Sequence, residues 1–126
     1  MAALATPATV AAVQPEHALA DLLVASPQVE AAVVFGSANE RLGSVGVAGS
    51  VTAAVRAGRA LLDNAGGFRG VGEATQVHAS LAGGDVFVVA KRGGPAILAV
   101  AAARQPAGLL FHDLKRCLAS IVEVQE

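Results

Sequence analysis

Residues 80–102, SLAGGDVFVVAKRGGPAILAVAA, hold two apolar runs separated by Lys91-Arg92-Gly93-Gly94-Pro95 and preceded by a Gly83-Gly84-Asp85 turn. Short apolar runs bounded by Gly and Pro read as strands of an antiparallel meander. Successive side chains in a strand point to opposite faces. Val86, Val88 and Ala90 therefore share one face, and Phe87 and Val89 the other. The next strand repeats this, with Ala96, Leu98 and Val100 opposite Ile97, Ala99 and Ala101. A sheet with one wet face would alternate apolar and polar positions. These strands are apolar on both faces, so the chain must cover both sides of its sheet.

The flanking patterns supply the cover. Pro15-Glu16 opens a first helix, with proline suited to the first turn and Glu16 to the positive helix end. Leu19, Leu22 and Leu23 form its apolar stripe, and Ser26-Pro27 stops it. Residues 29–38 (VEAAVVFGSA) read as a strand, Ser37-Ala38-Asn39-Glu40 as a turn, and 42–48 as a weaker, Gly-interrupted return strand. Residues 75–82 show true alternation, Val77, Ala79 and Leu81 against Gln76, His78 and Ser80, as expected near the periphery of a sheet. After Gln105-Pro106-Ala107-Gly108, a last helix carries Leu110, Leu114, Cys117, Leu118 and Ile121 on one stripe.

The middle helix is the unusual element. Ser50 is its expected N-cap, and Gly66 and Gly67 offer a left-handed stop. Arg56, Arg59 and Asp63 make one narrow polar stripe, with Arg59 and Asp63 spaced to pair. Val51, Ala53, Ala54, Val55, Ala57, Gly58, Ala60, Leu61 and Leu62 fill nearly everything else. A helix apolar almost all round is buried on more than one side. Gly58 costs roughly 1 kcal/mol of helix propensity, so close packing is the reason to expect it there.

The order is α-β-β-α-β-β-β-α, an α+β fold. Its five antiparallel strands form one sheet, with the first and last helices on one face and the middle helix on the other. Residues 1–14 read as a flexible N-terminal arm and 15–126 as one domain. That length is enough for a real core.

Composition narrows the functional classes. Formal charge is −1, and the chain has no Trp, no Tyr and four Phe. It thus lacks the basic footprint and the stacking platform of a nucleic-acid binder. The single cysteine excludes an intrachain disulfide and fits a reducing compartment. Neither a signal-peptide pattern nor an apolar stretch of about 18 residues occurs, so the expectation is a cytoplasmic chain without membrane insertion.

Candidate chemistry is sparse, and no catalytic, cofactor-binding or metal-ligating residue is expected. The loop GGFRGVG (66–72) leaves a helix and enters a strand, the reverse of a dinucleotide-binding turn. His112 and Cys117 are five apart on one helix, about 140° around its axis, and cannot face each other. Cys117 falls in the apolar stripe and reads as a buried structural thiol rather than a nucleophile. His17, His78 and His112 have no thiol or carboxylate at a zinc spacing. His78 reads as a solvated or interface residue. The acids are scattered, with no paired carboxylates.

Over about residues 16–122 the chain resembles the roadblock / dynein light-chain family, including its bacterial small-GTPase-associated members. The likeness rests on the entry helix leading into VEAAVVFGSA, the long middle helix, the meander ATQVHASLAGGDVFVVAKRGGPAILAVAA, and the closing QPAGLLFHDLKRCLASI. Family members often carry Asp-Gly in the first hairpin, where this chain has Ser37-Ala38-Asn39-Glu40; the register of the second strand is left open. The resemblance implies a profilin-like/longin-like fold and a non-enzymatic homodimer. The middle helices of two subunits would pack together, and their third strands would pair into one continuous sheet. It also implies a regulator or scaffold for a Ras-like small GTPase, or for a signalling complex containing one. The interface residues expected are Ala54, Val55, Gly58, Leu61 and Leu62 on the helix and Gln76, His78 and Ser80 on the strand. The alternative is a small-ligand sensor of profilin-like type, its pocket lined by Phe35 and Phe87. Least favoured is an enzyme using Cys117 or the histidines.

Overall fold

The computed structural model describes residues 14–46, 51–68, 75–81, 84–91, 93–101 and 107–125. The expected order of elements is present: α1 (Pro15–Ala25), β1 (Val29–Phe35), β2 (Arg41–Val45), α2 (Val51–Phe68), β3 (Gln76–Leu81), β4 (Gly84–Ala90), β5 (Ala96–Ala101) and α3 (Ala107–Gln125). The five strands form one antiparallel sheet in the order β2-β1-β5-β4-β3. Strands β1 and β2 pair, as do β3, β4 and β5 in succession, and β1 joins β5 at the centre. That leaves β2 and β3 as the two edges.

Both faces of the central strands are buried, each under different helices. Val34, Phe87, Val89, Ile97, Ala99 and Ala101 meet Leu19 and Leu22 of α1 and Leu110, Leu114, Cys117, Leu118 and Ile121 of α3. Val33, Phe35, Val88, Ala96 and Leu98 meet Val55 and Leu62 of α2. The alternation read in the two meander strands thus separates two cores rather than a core and a wet face. Each Leu or Phe sealed in this way contributes about 1.5–3 kcal/mol.

Two irregularities keep β1 in register. Its pairing with β5 shifts between Val29 and Ala31, and its pairing with β2 shifts between Val34 and Phe35. The first shift makes Glu30 an extra, exposed residue and turns Val29 inward toward the α1/α3 core. Gly46, at φ +65°, lies against that bulge, where a Cβ would come within 2.4 Å of the Glu30 carbonyl oxygen. Only glycine accepts both the conformation and the approach.

The first hairpin closes without Asp-Gly. Asn39 adopts φ +67° and supplies the left-handed residue itself, a conformation Asn tolerates better than most side chains. Gly36 N–H donates to the Glu40 carbonyl (2.8 Å), and Asn39 N–H donates to the Gly36 carbonyl (2.9 Å). The second strand then enters with Arg41 opposite Phe35 and Gly43 opposite Val34, which settles its register.

Several boundaries differ from the sequence reading. The first strand ends at Phe35, not 38, because the turn hydrogen bonds begin at Gly36. The second spans Arg41–Val45 instead of 42–48; positions 47–48 lie outside the described residues, as do the arm 1–13, the Ser50 cap and 69–72 of the glycine-rich loop. Helix α2 runs through Gly66 and Gly67 to Phe68, so those glycines do not stop it. Gly84 and Asp85 belong to β4 rather than to a turn.

Candidate functional site

The geometry of α2 decides which of its residues can meet a partner. Val55 and Leu62 are each 4% exposed and pack on the sheet. Gly58 faces the sheet as well, since a Cβ there would lie 3.1 Å from both Leu98 Cδ1 and Phe35 Cζ. The glycine lets the helix settle on its own sheet. Sequence reasoning placed Val55, Gly58 and Leu62 between two copies; the structure buries all three within the chain. Ala54 and Leu61 flank them and are partly covered. The outward side carries Ala53, Arg56, Ala57, Ala60, Asp63 and Asn64, all exposed. Ala53, Ala57, Ala60 and Asn64 follow at i, i+4, i+7 and i+11, a stripe with little side-chain bulk.

Arg59 does not pair with Asp63. Its Nε donates to Asn39 Oδ1 (2.9 Å) and its Nη2 to the Gly36 carbonyl (3.2 Å). The guanidinium lies 5.3 Å from the centroid of the Phe35 ring. Arg59 therefore fastens α2 to the β1–β2 turn through hydrogen bonds and a cation–π contact. The sequence signal was obscure, because the turn lies 20 residues upstream.

Among the described residues, one helix does not finish the α2 side of the sheet. Val77, Val86, Ala90 and Val100 pack against that core but remain only partly buried. They run across β3, β4 and β5, toward the open β3 edge. Among the described residues no strand pairs with the outer side of β3.

Gln76, His78 and Ser80 of β3 share the other face, the α1/α3 side. His78 stands opposite Phe87 in the ladder and stacks on it, with ring centroids 4.3 Å apart and planes 4° from parallel. Phe87 in turn meets Phe111 of α3 edge-on at 5.3 Å. His78 Nε2 also lies 3.2 Å from Asp85 Oδ2, and Asp85 is 3% exposed. His78 is thus the polar partner of a nearly buried carboxylate rather than a merely solvated residue. Leu81 pairs with Gly84, and that register alone would have placed His78 over Phe87.

The remaining chemistry is structural. Ser26, fully buried at the end of α1, donates its hydroxyl to Asp113 Oδ2 of α3 at 2.5 Å. Cys117 Sγ donates to the Ala18 carbonyl (3.5 Å). Burial, helped by the nearby Asp21 carboxylate, pushes the Cys117 thiol up to about 11. A thiol held so far from ionisation is a poor nucleophile near neutral pH. Phe35 and Phe87 belong to the two different cores, on opposite faces of the sheet. They cannot line one ligand pocket, which removes the geometry expected for a sensor site. Among the described residues no cluster of three His, Cys, Asp or Glu side chains could hold a metal ion. Nor is any described helix long and apolar enough to cross a membrane.

No family model and no curated protein matches the sequence. Solved structures do match its fold. The chain superimposes on a Roadblock/LC7 domain from Streptomyces avermitilis with a TM-score of 0.72 at 18% identity, over 82% of this chain and 90% of that one. Myxococcus xanthus MglB matches at 0.69 and 11% identity, over 93% of this chain and 88% of that one. The gliding protein MglB from Thermus thermophilus matches at 0.62 and 11% identity, over 89% of this chain and 91% of that one. A further MglB structure, in a tetrameric arrangement, matches at 0.65. The fold is the roadblock/LC7 fold.

Proposed function

We propose that this chain is a non-enzymatic regulator or scaffold of the roadblock type, working as a homodimer and engaging a Ras-like small GTPase or a signalling complex that contains one. The observation that carries the reading is the unfinished α2 side. Val77, Val86, Ala90 and Val100 stay partly open beside a helix whose outer stripe carries little side-chain bulk. A second copy related by a two-fold axis would set its own α2 on this stripe and shield those valines. The same axis would pair the two β3 edges. Strand β3 has no Pro, no inward charge and no Lys to block edge-to-edge pairing.

In this arrangement the dimer contacts are the outer stripe of α2, Ala54 and Leu61 at its flanks, and Gln76, His78 and Ser80 along the paired strands. Val55, Gly58 and Leu62 support the stripe from behind. The fold likeness to MglB and to Roadblock/LC7 domains, with the resemblance in sequence pattern, favours a small GTPase as partner. An inert thiol at Cys117 accords with a module that binds rather than transforms. The test is a pull-down from native cell extract with the tagged chain, run with GDP and with a non-hydrolysable GTP analogue. Recovery of a small GTPase in one nucleotide state is expected. Its absence under both conditions contradicts the GTPase reading.

A further inference from the structure

Besides the border with β3, the chain carries a second feature that α1, α2 and the sheet do not use. A groove of about 210 Å³ runs between α3 and the end of the β3–β4 hairpin. Its apolar lining includes Val89 and Leu118, each almost fully buried at the seam between sheet and helix. Its polar rim is Thr75, Lys91 and Lys115. These are the only two lysines among the 126 residues, and both reach one groove.

The rim is held by rigid backbone. Ala90 N–H donates to the Thr75 carbonyl (2.8 Å), Lys91 N–H to the Pro95 carbonyl (3.0 Å), and Gly94 N–H to the Lys91 carbonyl (2.8 Å). Lys115 stands in the middle of α3. Among the described residues no carboxylate forms an ion pair with either lysine, and none lines the groove. The nearly buried Asp85 turns instead to His78, and Asp113 to Ser26.

We propose that this groove docks an acidic protein segment, two carboxylates held by Lys91 and Lys115 and an aliphatic side chain between them resting on Val89 and Leu118. The charge on the rim selects carboxylates, which an ammonium meets as a compact point charge with three donors. The apolar floor selects a side chain that a bare anion lacks. A nucleic acid would meet, on a chain whose nine Lys and Arg are outnumbered by ten Asp and Glu, no excess of positive charge to neutralise its phosphates. The volume falls below the roughly 300–1,000 Å³ of small-molecule sites, which favours one side-chain anchor over an enclosed ligand. One protomer supplies the whole lining, so the groove forms whether or not the chain dimerises.

The test uses a fluorescein-labelled Glu-Glu-Leu-Glu-Glu peptide, its Gln-for-Glu counterpart and inorganic phosphate, with the full chain. Fluorescence anisotropy and amide chemical-shift mapping are the readouts. The acidic peptide is expected to bind, to shift amides at Thr75, Val89, Lys91, Lys115 and Leu118, and to weaken as NaCl rises from about 50 to 500 mM. Combining Lys91→Glu with Lys115→Glu should weaken it by about tenfold or more. Ala119→Phe, at an exposed lining position, should block the groove to a similar extent without altering charge. Circular dichroism identifies any variant that fails to fold, and the shift map of the unaltered chain decides the matter on its own. Equal binding of the Gln peptide, shifts elsewhere, or phosphate reproducing the same shifts while the peptide does not would each overturn the proposal.

Discussion

On the α1/α3 side of the sheet the central strands are sealed. Phe87, Ile97, Ala99 and Ala101 are each 0% exposed beneath two helices. On the α2 side a single helix among the described residues covers Val33, Phe35, Val88 and Leu98, while Val77, Val86, Ala90 and Val100 stay partly open around it. In β4 and β5 the sequence patterns of the two sides are alike, so apolarity alone does not explain the difference there. Helix count does. A sheet of five strands is wider than one helix, whose diameter with side chains is about 10–12 Å. Among the described residues the side with two helices closes over its central strands, and the side with one stays partly open.

The sharpest way to break that comparison is to remove apolar volume from each side. Leu114→Ala, beneath the two-helix face, is expected to cost about 2–5 kcal/mol in urea unfolding. Val77→Ala, on the unfinished face, is expected to cost under about 1 kcal/mol when measured on monomeric protein. Similar losses would mean the two sides are equally closed.

Helix α2 holds the same contrast on one element. Gly58→Leu drives a side chain into Leu98 and Phe35 and should destabilise the chain by about 3 kcal/mol. Ala57→Glu lies on the outer stripe and should change protomer stability by no more than about 0.5 kcal/mol. Reversed effects, read in the same urea series, would put the helix on the sheet by its other face.

The sealed side also predicts a pH dependence. Burial raises the Cys117 thiol from 9.0 to about 11, so the folded chain keeps its proton where the unfolded chain releases it. Stability from this group is complete below pH 9 and declines as pH rises toward 11, by about 2–3 kcal/mol in all. Urea unfolding of the wild type and of Cys117→Ala between about pH 8 and 11 should show the slope only in the wild type. A parallel slope in the variant would assign it to other groups.

The smallest effect concerns the joint between α2 and the first hairpin. Asn39→Ala removes the acceptor for Arg59 and the tolerance for φ +67°, and should cost about 1 kcal/mol. Asn39→Gly keeps the turn and loses only the acceptor, so it should fall nearer the wild type. Thermal unfolding of the pair separates the two contributions.

Element order and the division into two cores were legible because the meander is apolar on both faces and the last helix has one clean stripe. The turn at Ser37-Ala38-Asn39-Glu40 was legible as a turn, but not its register, because Asn39 takes a role usually assigned to glycine. What misled was Gly58. In a helix nearly apolar all round, a glycine reads equally well as room for a partner helix or room for its own sheet. The sequence contains no measure of how deeply Phe35 and Leu98 reach. Arg59 was misassigned for a related reason, since Asp63 is near in the chain while Asn39 is near only in the fold. The groove at Lys91 and Lys115 went unseen because the two lysines lie far apart in the chain, and only β4 and α3 bring them to one rim.

The central claim is that the unfinished α2 side belongs against a second copy. Sedimentation equilibrium at tens of micromolar, on the wild type and on Ala57→Glu, tests it most directly. The wild type is expected at twice the 12.5 kDa of one chain and the folded variant at 12.5 kDa. A monomeric wild type, or a variant that stays dimeric, would contradict it.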